Sequence, residues 1–213
     1  MQDLDIRGAG NLLGAEQSGF IADLGYETYQ KILREAVTEL RTEEFPDIET
    51  ADSTEGQDYV ADSAIESDLE LLLPASYVPQ ESERIALYQE LDSIERDADL
   101  QAFEKRLEDR FGHIPDAARE LLRVPTLRRL ARKLGIEKVV MKQGSMFIFF
   151  VDDSNKAYYQ SPMFGRLLSY LQLNPQRVQI RERNGRRSFA ISKVPAVSTA
   201  VDILRTVLGL PSA

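Results

Sequence analysis

Residues 3 to 19 (D-L-D-I-R-G-A-G-N-L-L-G-A-E-Q-S-G) constrain the fold most. They hold four glycines, Gly8, Gly10, Gly14 and Gly19, around Leu4, Ile6, Leu12 and Leu13. Each glycine inside a regular element costs roughly 0.5–1 kcal/mol relative to alanine, so this density excludes a core strand or helix. It specifies an irregular backbone, held in one shape or moving between two. Arg7 lies between Ile6 and Gly8 in the sequence, so its charge is expected to be held near packed apolar surface, where a cation requires a partner.

Gly8 to Gly14 reads G-x-G-x-x-x-G, one residue out of step with the dinucleotide fingerprint and without a β-rich strand before it. No Gly-Lys-Ser/Thr follows, so it is not a P-loop either. Asp3, Asp5 and Glu16 have no nearby histidine and no ligand spacing, which fits solvated or helix-end positions better than a metal site.

A helix is expected from Gly25 to Arg41, where Tyr26, Tyr29, Ile32, Leu33, Ala36, Val37 and Leu40 recur at 3–4 spacing. Acidic character then takes over. Between Thr42 and Glu70 there are eleven Asp or Glu and no Lys or Arg. Residues 42–61 also carry Pro46 and Gly56 and too little apolar surface to offset ordering entropy, so they read as a linker. The expected division is 1–41, 42–61 and 62–213. The net charge of −9 hides an opposite bias further on. From Lys105 to Arg187 there are eighteen Lys or Arg against eight Asp or Glu.

In the third segment, Ile65 to Leu73 reads as a strand with one charged face, stopped by Pro74 and Pro79. Ser82 to Ile94 reads as an amphipathic helix capped by Ser82 or Gln80. A second helix starts at Asp97 or Asp99, turns Leu100, Phe103, Leu107 and Phe111 inward and ends at Gly112. Two shorter helices follow, one after Pro115 and one with Pro125 in its first turn, stopped by Gly135. The period then changes. Lys138–Lys142 and Met146–Val151 form a hairpin around Gln143-Gly144. Met163–Leu173 is helical, Arg177–Arg181 and Ser188–Ser192 flank Asn184-Gly185, and Val197–Leu208 is a last helix. Helices first and mixed elements afterwards make the class α+β.

The chain has no cysteine and one histidine, His113, which excludes disulfides, thiolate metal sites and multi-histidine sites. His113 sits at a helix end, a favourable place for a cation, with no nucleophile signature near it. No catalytic residue, metal site or cofactor site is expected. No apolar run approaches the roughly 20 residues of a membrane span, and the N-terminus has no signal-peptide pattern, so a cytoplasmic location and no membrane partner are expected. Arg119, Arg123, Arg128, Arg129, Arg132 and Lys133 form either the polar side of two helices or a nucleic-acid face. Arg106, Glu108, Asp109 and Arg110 form a mixed charged group, either a solvated face or a docking surface.

The pattern I-R-G-A-G-x-L-L-G-x-x-Q-S-G, followed by Gly25-Tyr26 and Tyr29, resembles the TRG motif ("translocation in RecG") of RecG and the Mfd-type transcription-repair coupling factors. Leu72 to Pro79 (L-L-P-A-S-Y-V-P), Arg84 to Tyr88, Leu107 to Gly112 (L-E-D-R-F-G) and Pro115 are similar to the C-terminal domain of the Mfd type. The resemblance implies part of an ATP-dependent double-stranded-DNA translocase that removes stalled RNA polymerase and recruits UvrA for nucleotide excision repair. It implies that Arg7 and Gln17, with Gly8, Gly10 and Gly14, couple ATP hydrolysis to translocation. It further implies that residues 62–213 dock on a UvrB-like module of the same protein and mask its UvrA-binding surface. Asp109, then Glu108, are the docking candidates, while Arg106 stands where some relatives are expected to be acidic. ATP and Mg belong to the motor, whose ATPase motifs these residues lack, so the chain alone is not expected to hydrolyse ATP. Met1 would fall in mid-motor, so the chain is expected to be a piece of a longer protein. The alternatives are a RecG-like branch-migration helicase and a stand-alone nucleic-acid-binding module.

Overall fold

A computed structural model describes residues 59–151, 155–183 and 186–211. The TRG residues Arg7, Gly8, Gly10, Gly14 and Gln17, the helix expected over 25–41, and linker residues 42–58 lie outside them, as do the turn residues Asn184 and Gly185.

Within the described residues the class is α+β, as expected: a five-stranded mixed sheet with helices. Strand β1 (Ala64–Ser67) comes first. Four helices follow: α1 (Glu81–Asp92), α2 (Asp97–Phe111), α3 (Asp116–Leu122) and α4 (Val124–Lys133). Then come β2 (Ile136–Lys142), β3 (Ser145–Phe150), the short α5 (Lys156–Tyr159), α6 (Pro162–Leu173), β4 (Val178–Arg183), β5 (Arg186–Ser192) and α7 (Val197–Leu208). The strand order is β1-β2-β3-β5-β4. β1 is parallel to β2, and the other neighbours are antiparallel. Parallel neighbours need a long crossover. Here α1 to α4 form it, so the helical part is the connection between two strands of one sheet.

Local chemistry sets the element ends. Acidic side chains occupy the first turns of α1 (Glu81, Glu83) and α2 (Asp97, Asp99), where they complement the helix dipole. Neither Gln80 nor Ser82 caps α1: Gln80 takes the cap position and its side chain makes no capping bond. The Ser161 hydroxyl caps α6 by accepting from Phe164 N at 3.3 Å, just before Pro162. In the β2–β3 turn both Gln143 (φ 52°) and Gly144 (φ 67°) are left-handed, the twist that two-residue hairpins require.

The strand expected over Ile65–Leu73 is only Ala64–Ser67. The ladder ends because Asp68 turns across the hairpin tip: Asp68 N donates to Met141 O at 3.0 Å, and Asp68 Oδ2 accepts from Gln143 N at 2.8 Å. Leu71 and Leu73 are buried beyond that turn. The apolar spacing was real, but it serves packing rather than a ladder. α5 was not expected. It is a single turn capped by Asn155, whose Oδ1 accepts from Tyr158 N at 3.1 Å. A turn that short carries no period to read.

One hydrophobic core runs from Val60 to Leu208. On the sheet it takes Ile65, Val139, Met141, Met146, Ile148, Phe150, Val178, Phe189 and Ile191. Tyr158 is its aromatic centre, wholly buried, with ring contacts to Tyr59, Phe150, Tyr159 and Phe164.

Candidate functional site

The candidate surface is the outer side of α2. Leu100, Phe103 and Leu107 are 4%, 2% and 2% exposed, and they fix the helix on the core. Glu108 and Asp109 are the next residues along and are both exposed. Of their basic neighbours, Arg106 and Arg110 are engaged, while exposed Lys105 has no ion-pair partner among the described residues. Arg106 pairs with Glu90 of α1 and lies over the Phe103 ring, 5.3 Å from its centroid. Arg110 pairs with Glu83 of α1 and lies over Phe111 at 5.1 Å. Two ion pairs thus clip α1 to α2. Each is partly solvated, and such pairs contribute about 0–1 kcal/mol. Their larger effect is on charge: they neutralise the cations beside Glu108 and Asp109. Among the described residues neither of those two carboxylates has an ion-pair partner.

The end of α2 is buttressed by the turn over residues 74–78. Tyr77 Oη donates to Gly112 O at 3.1 Å, and its ring meets Phe111 at 5.6 Å. Burial raises the Tyr77 pKa, and the Glu108 carboxylate nearby raises it further. The turn itself closes on Pro74 O, which accepts from Tyr77 N and Val78 N, both at 2.9 Å. α1 clamps it from below: Arg84 Nη1 donates to Val78 O at 2.7 Å and Pro79 O at 3.1 Å, while Tyr88 Oη accepts from Leu73 N at 2.9 Å. The acidic pair therefore stands on a helix held by core packing and by this clamp. Arg84 was not singled out from the sequence. The available signal was its spacing, since Arg84, Leu87, Tyr88 and Leu91 share the buried side of α1.

The structure separates the other charged candidates. Arg128 pairs with Asp92 at 2.6 Å and with Asp62 at 3.7 Å; Arg129 pairs with Asp97. Both are half-buried, and their charge is used to join α4 to α1, to the start of α2 and to the approach to β1. Arg119 donates to Ile114 O at 3.3 Å and lies 3.4 Å from His113 Nε2. These helices thus offer phosphate few free cations. His113 is exposed. Among the described residues no group of three or more His, Asp or Glu is placed to hold a metal, and no helix is long and apolar enough to cross a membrane.

Residues 67–161 match the TRCF domain family. The transcription-repair-coupling factor of Escherichia coli (strain K12) is 33% identical over 178 residues, which is 84% of this chain and 14% of that relative. The transcription-repair-coupling factor of Haemophilus influenzae is 36% identical over 167 residues, 78% of this chain and 14% of the relative. The chain thus spans a small part of the length of these relatives. A solved structure described as the C-terminal domain of transcription-repair coupling factor superposes with a TM-score of 0.56 at 17% identity, covering 70% of this chain and 95% of that one. At that identity the likeness establishes the fold.

Proposed function

The chain belongs with the C-terminal part of the Mfd-type transcription-repair coupling factors, and from that premise we propose that residues 62–213 are an intramolecular regulatory domain of a DNA translocase. The domain docks on the UvrB-like module of the same protein and masks its UvrA-binding surface. Residues 1–41 are the tail of the motor, with Arg7 and Gln17 coupling ATP hydrolysis to movement and Gly8, Gly10 and Gly14 giving the segment its range. Residues 42–61 tether the two. ATP and Mg act in the motor, and duplex DNA and stalled RNA polymerase are contacts of the whole protein in the cytoplasm.

The observation that carries the docking reading is the state of α2: Glu108 and Asp109 are exposed without ion-pair partners among the described residues, and Arg106 and Arg110 beside them are neutralised within the domain. An acidic pair on a rigid helix favours specificity and rate of docking on a basic partner. The match over residues 67–161 lies beyond the TRG stretch, where likeness to a RecG-type helicase would end. The test titrates the 213-residue chain with the isolated UvrB-like module. The charge-reversed variant Glu108→Lys/Asp109→Lys should bind at least about tenfold more weakly, a loss near 1.4 kcal/mol. Equal affinity of variant and wild type would remove α2 from the interface.

A further inference from the structure

The core takes one side of the sheet; the other side has its own pattern. Alternation along β3 puts Met146, Ile148 and Phe150 in the core and leaves Phe147 and Phe149 half-buried on the opposite side. Neither phenylalanine belongs to the core cluster, and among the described residues neither ring meets another ring. Their cross-strand neighbours on β5 are small: Ala190 opposite Phe147 and Ser188 opposite Phe149. On β2 they face Val140 and Lys138. Small neighbours leave both rings half-exposed, and the Arg181 guanidinium lies over that of Phe147.

Cations flank this aromatic pair on both sides. On β2 stand Lys138, paired with Glu66 at 2.7 Å, and exposed Lys142, which has no ion-pair partner among the described residues. On β4 stands exposed Arg181, its guanidinium 5.4 Å from the Phe147 centroid, and Arg177, which donates to Ser192 O and Lys193 O. β2 and β4 are three strand spacings apart, about 14 Å. Of these cations Lys138 is engaged by an acid, while Lys142 and Arg181 have no ion-pair partner among the described residues.

We propose that this open side of the sheet binds an unpaired DNA strand, with two bases stacked on Phe147 and Phe149 and the flanking phosphates on Lys142, Arg181 and Lys138. Aromatic side chains at alternate positions of a central strand, beside basic residues, are a means by which sheets hold unpaired bases. The guanidinium over Phe147 presents a second planar face for stacking. Duplex DNA buries its base faces and cannot use the rings. The residues opposite the rings, Ala190 and Ser188, are both buried and offer no exposed group to a ribose hydroxyl there, which favours DNA over RNA as the occupant.

The test is fluorescence anisotropy of the full chain with a labelled thymidine oligonucleotide of about 12 nucleotides. A matched duplex and a uridine RNA strand serve as comparisons, at salt concentrations of about 50 and 200 mM. The single DNA strand should bind best, with a log–log salt slope near −2 for three neutralised phosphates at about −0.7 each. Phe147→Ala/Phe149→Ala should weaken binding at least about tenfold with the salt slope kept. Lys142→Ala/Arg181→Ala should reduce the slope by about 1.4. If the aromatic variant fails to fold, as read by circular dichroism, the surface cation variant carries the test alone. Several results overturn the proposal: no saturable binding, tighter binding of duplex or RNA, or unchanged affinity and slope in the folded variants. It is equally overturned if the Phe147 and Phe149 NMR signals move on deleting residues 42–58 but not on adding the strand. A dimer of the chain that is lost in the aromatic variant would assign this side to a second copy and also overturn it.

Discussion

Arg84 is 6% exposed, and its Nη1 donates to the carbonyl of Val78 at 2.7 Å. The same nitrogen reaches Pro79 O at 3.1 Å, so one buried guanidinium closes the turn that supports the end of α2. Arg84→Met fills similar volume but leaves both carbonyls without this donor. A loss of about 2–4 kcal/mol is expected, read as a lower urea midpoint at unchanged m. Arg84→Lys should recover part of it. A loss below about 1 kcal/mol would mean that water replaces the clamp.

Gly135 follows α4 at φ 68°, and a Cβ placed there would run into the Tyr158 ring. Gly135→Ala therefore combines a left-handed backbone penalty of about 1–2 kcal/mol with overpacking of about 1–3 kcal/mol. Denaturant unfolding should show a drop larger than the left-handed penalty alone. The double variant Gly135→Ala/Tyr158→Leu should lose less than the two single changes summed, because the pair is in contact.

Alkali should unfold the domain through its tyrosines. Burial is the largest cause raising the pKa of Tyr77, Tyr88, Tyr158 and Tyr170 above the usual 10.0, and for Tyr158 the shift is large. A raised folded pKa means that the native state keeps protons the unfolded chain releases. The stability they contribute is complete below pH of about 10 and falls as pH rises above it. Tyr158 Oη also donates to Leu134 O at 2.8 Å, so Tyr158→Phe should cost about 1–3 kcal/mol at neutral pH and flatten the alkaline decline. Thermal midpoints at pH 8, 10 and 11 check the sign, and a midpoint that rises with pH would contradict it.

Glu120 joins the helical crossover to the last helix. Its two carboxylate oxygens accept from Ser198 N at 3.0 Å and Ser198 Oγ at 2.9 Å in the first turn of α7. Carboxylate and helix N-terminus favour each other. Glu120→Ala should cost about 1–2 kcal/mol. Hydrogen exchange should quicken first at the α7 amides. Faster exchange confined to α3 would place the effect elsewhere.

The longer helices and the hairpins were legible because their signals are local, whereas the single turn of α5 was not. The 3–4 spacing of Leu100, Phe103 and Leu107 specified α2, Gly112 its end and Gln143-Gly144 the β2–β3 turn. What escaped the sequence is non-local. The parallel pairing of Ile65 with Val139 spans the whole helical crossover, so nothing near Ile65 marks where its ladder stops. The acidic partners of Arg128 and Arg129 lie some 30 or more residues away, which is why these cations read as an open face. Glu108 and Asp109 were legible as a charged pair. That Arg106 and Arg110 beside them are neutralised by α1 was not, because it depends on how two helices pack.

The proposed masking of a UvrA-binding surface by residues 62–213 is open to direct measurement. The most direct measurement is the affinity of the full-length protein for UvrA, with and without residues 62–213. Removal of these residues should tighten binding by about tenfold or more and raise the basal ATPase rate. Unchanged UvrA affinity on their removal would contradict it.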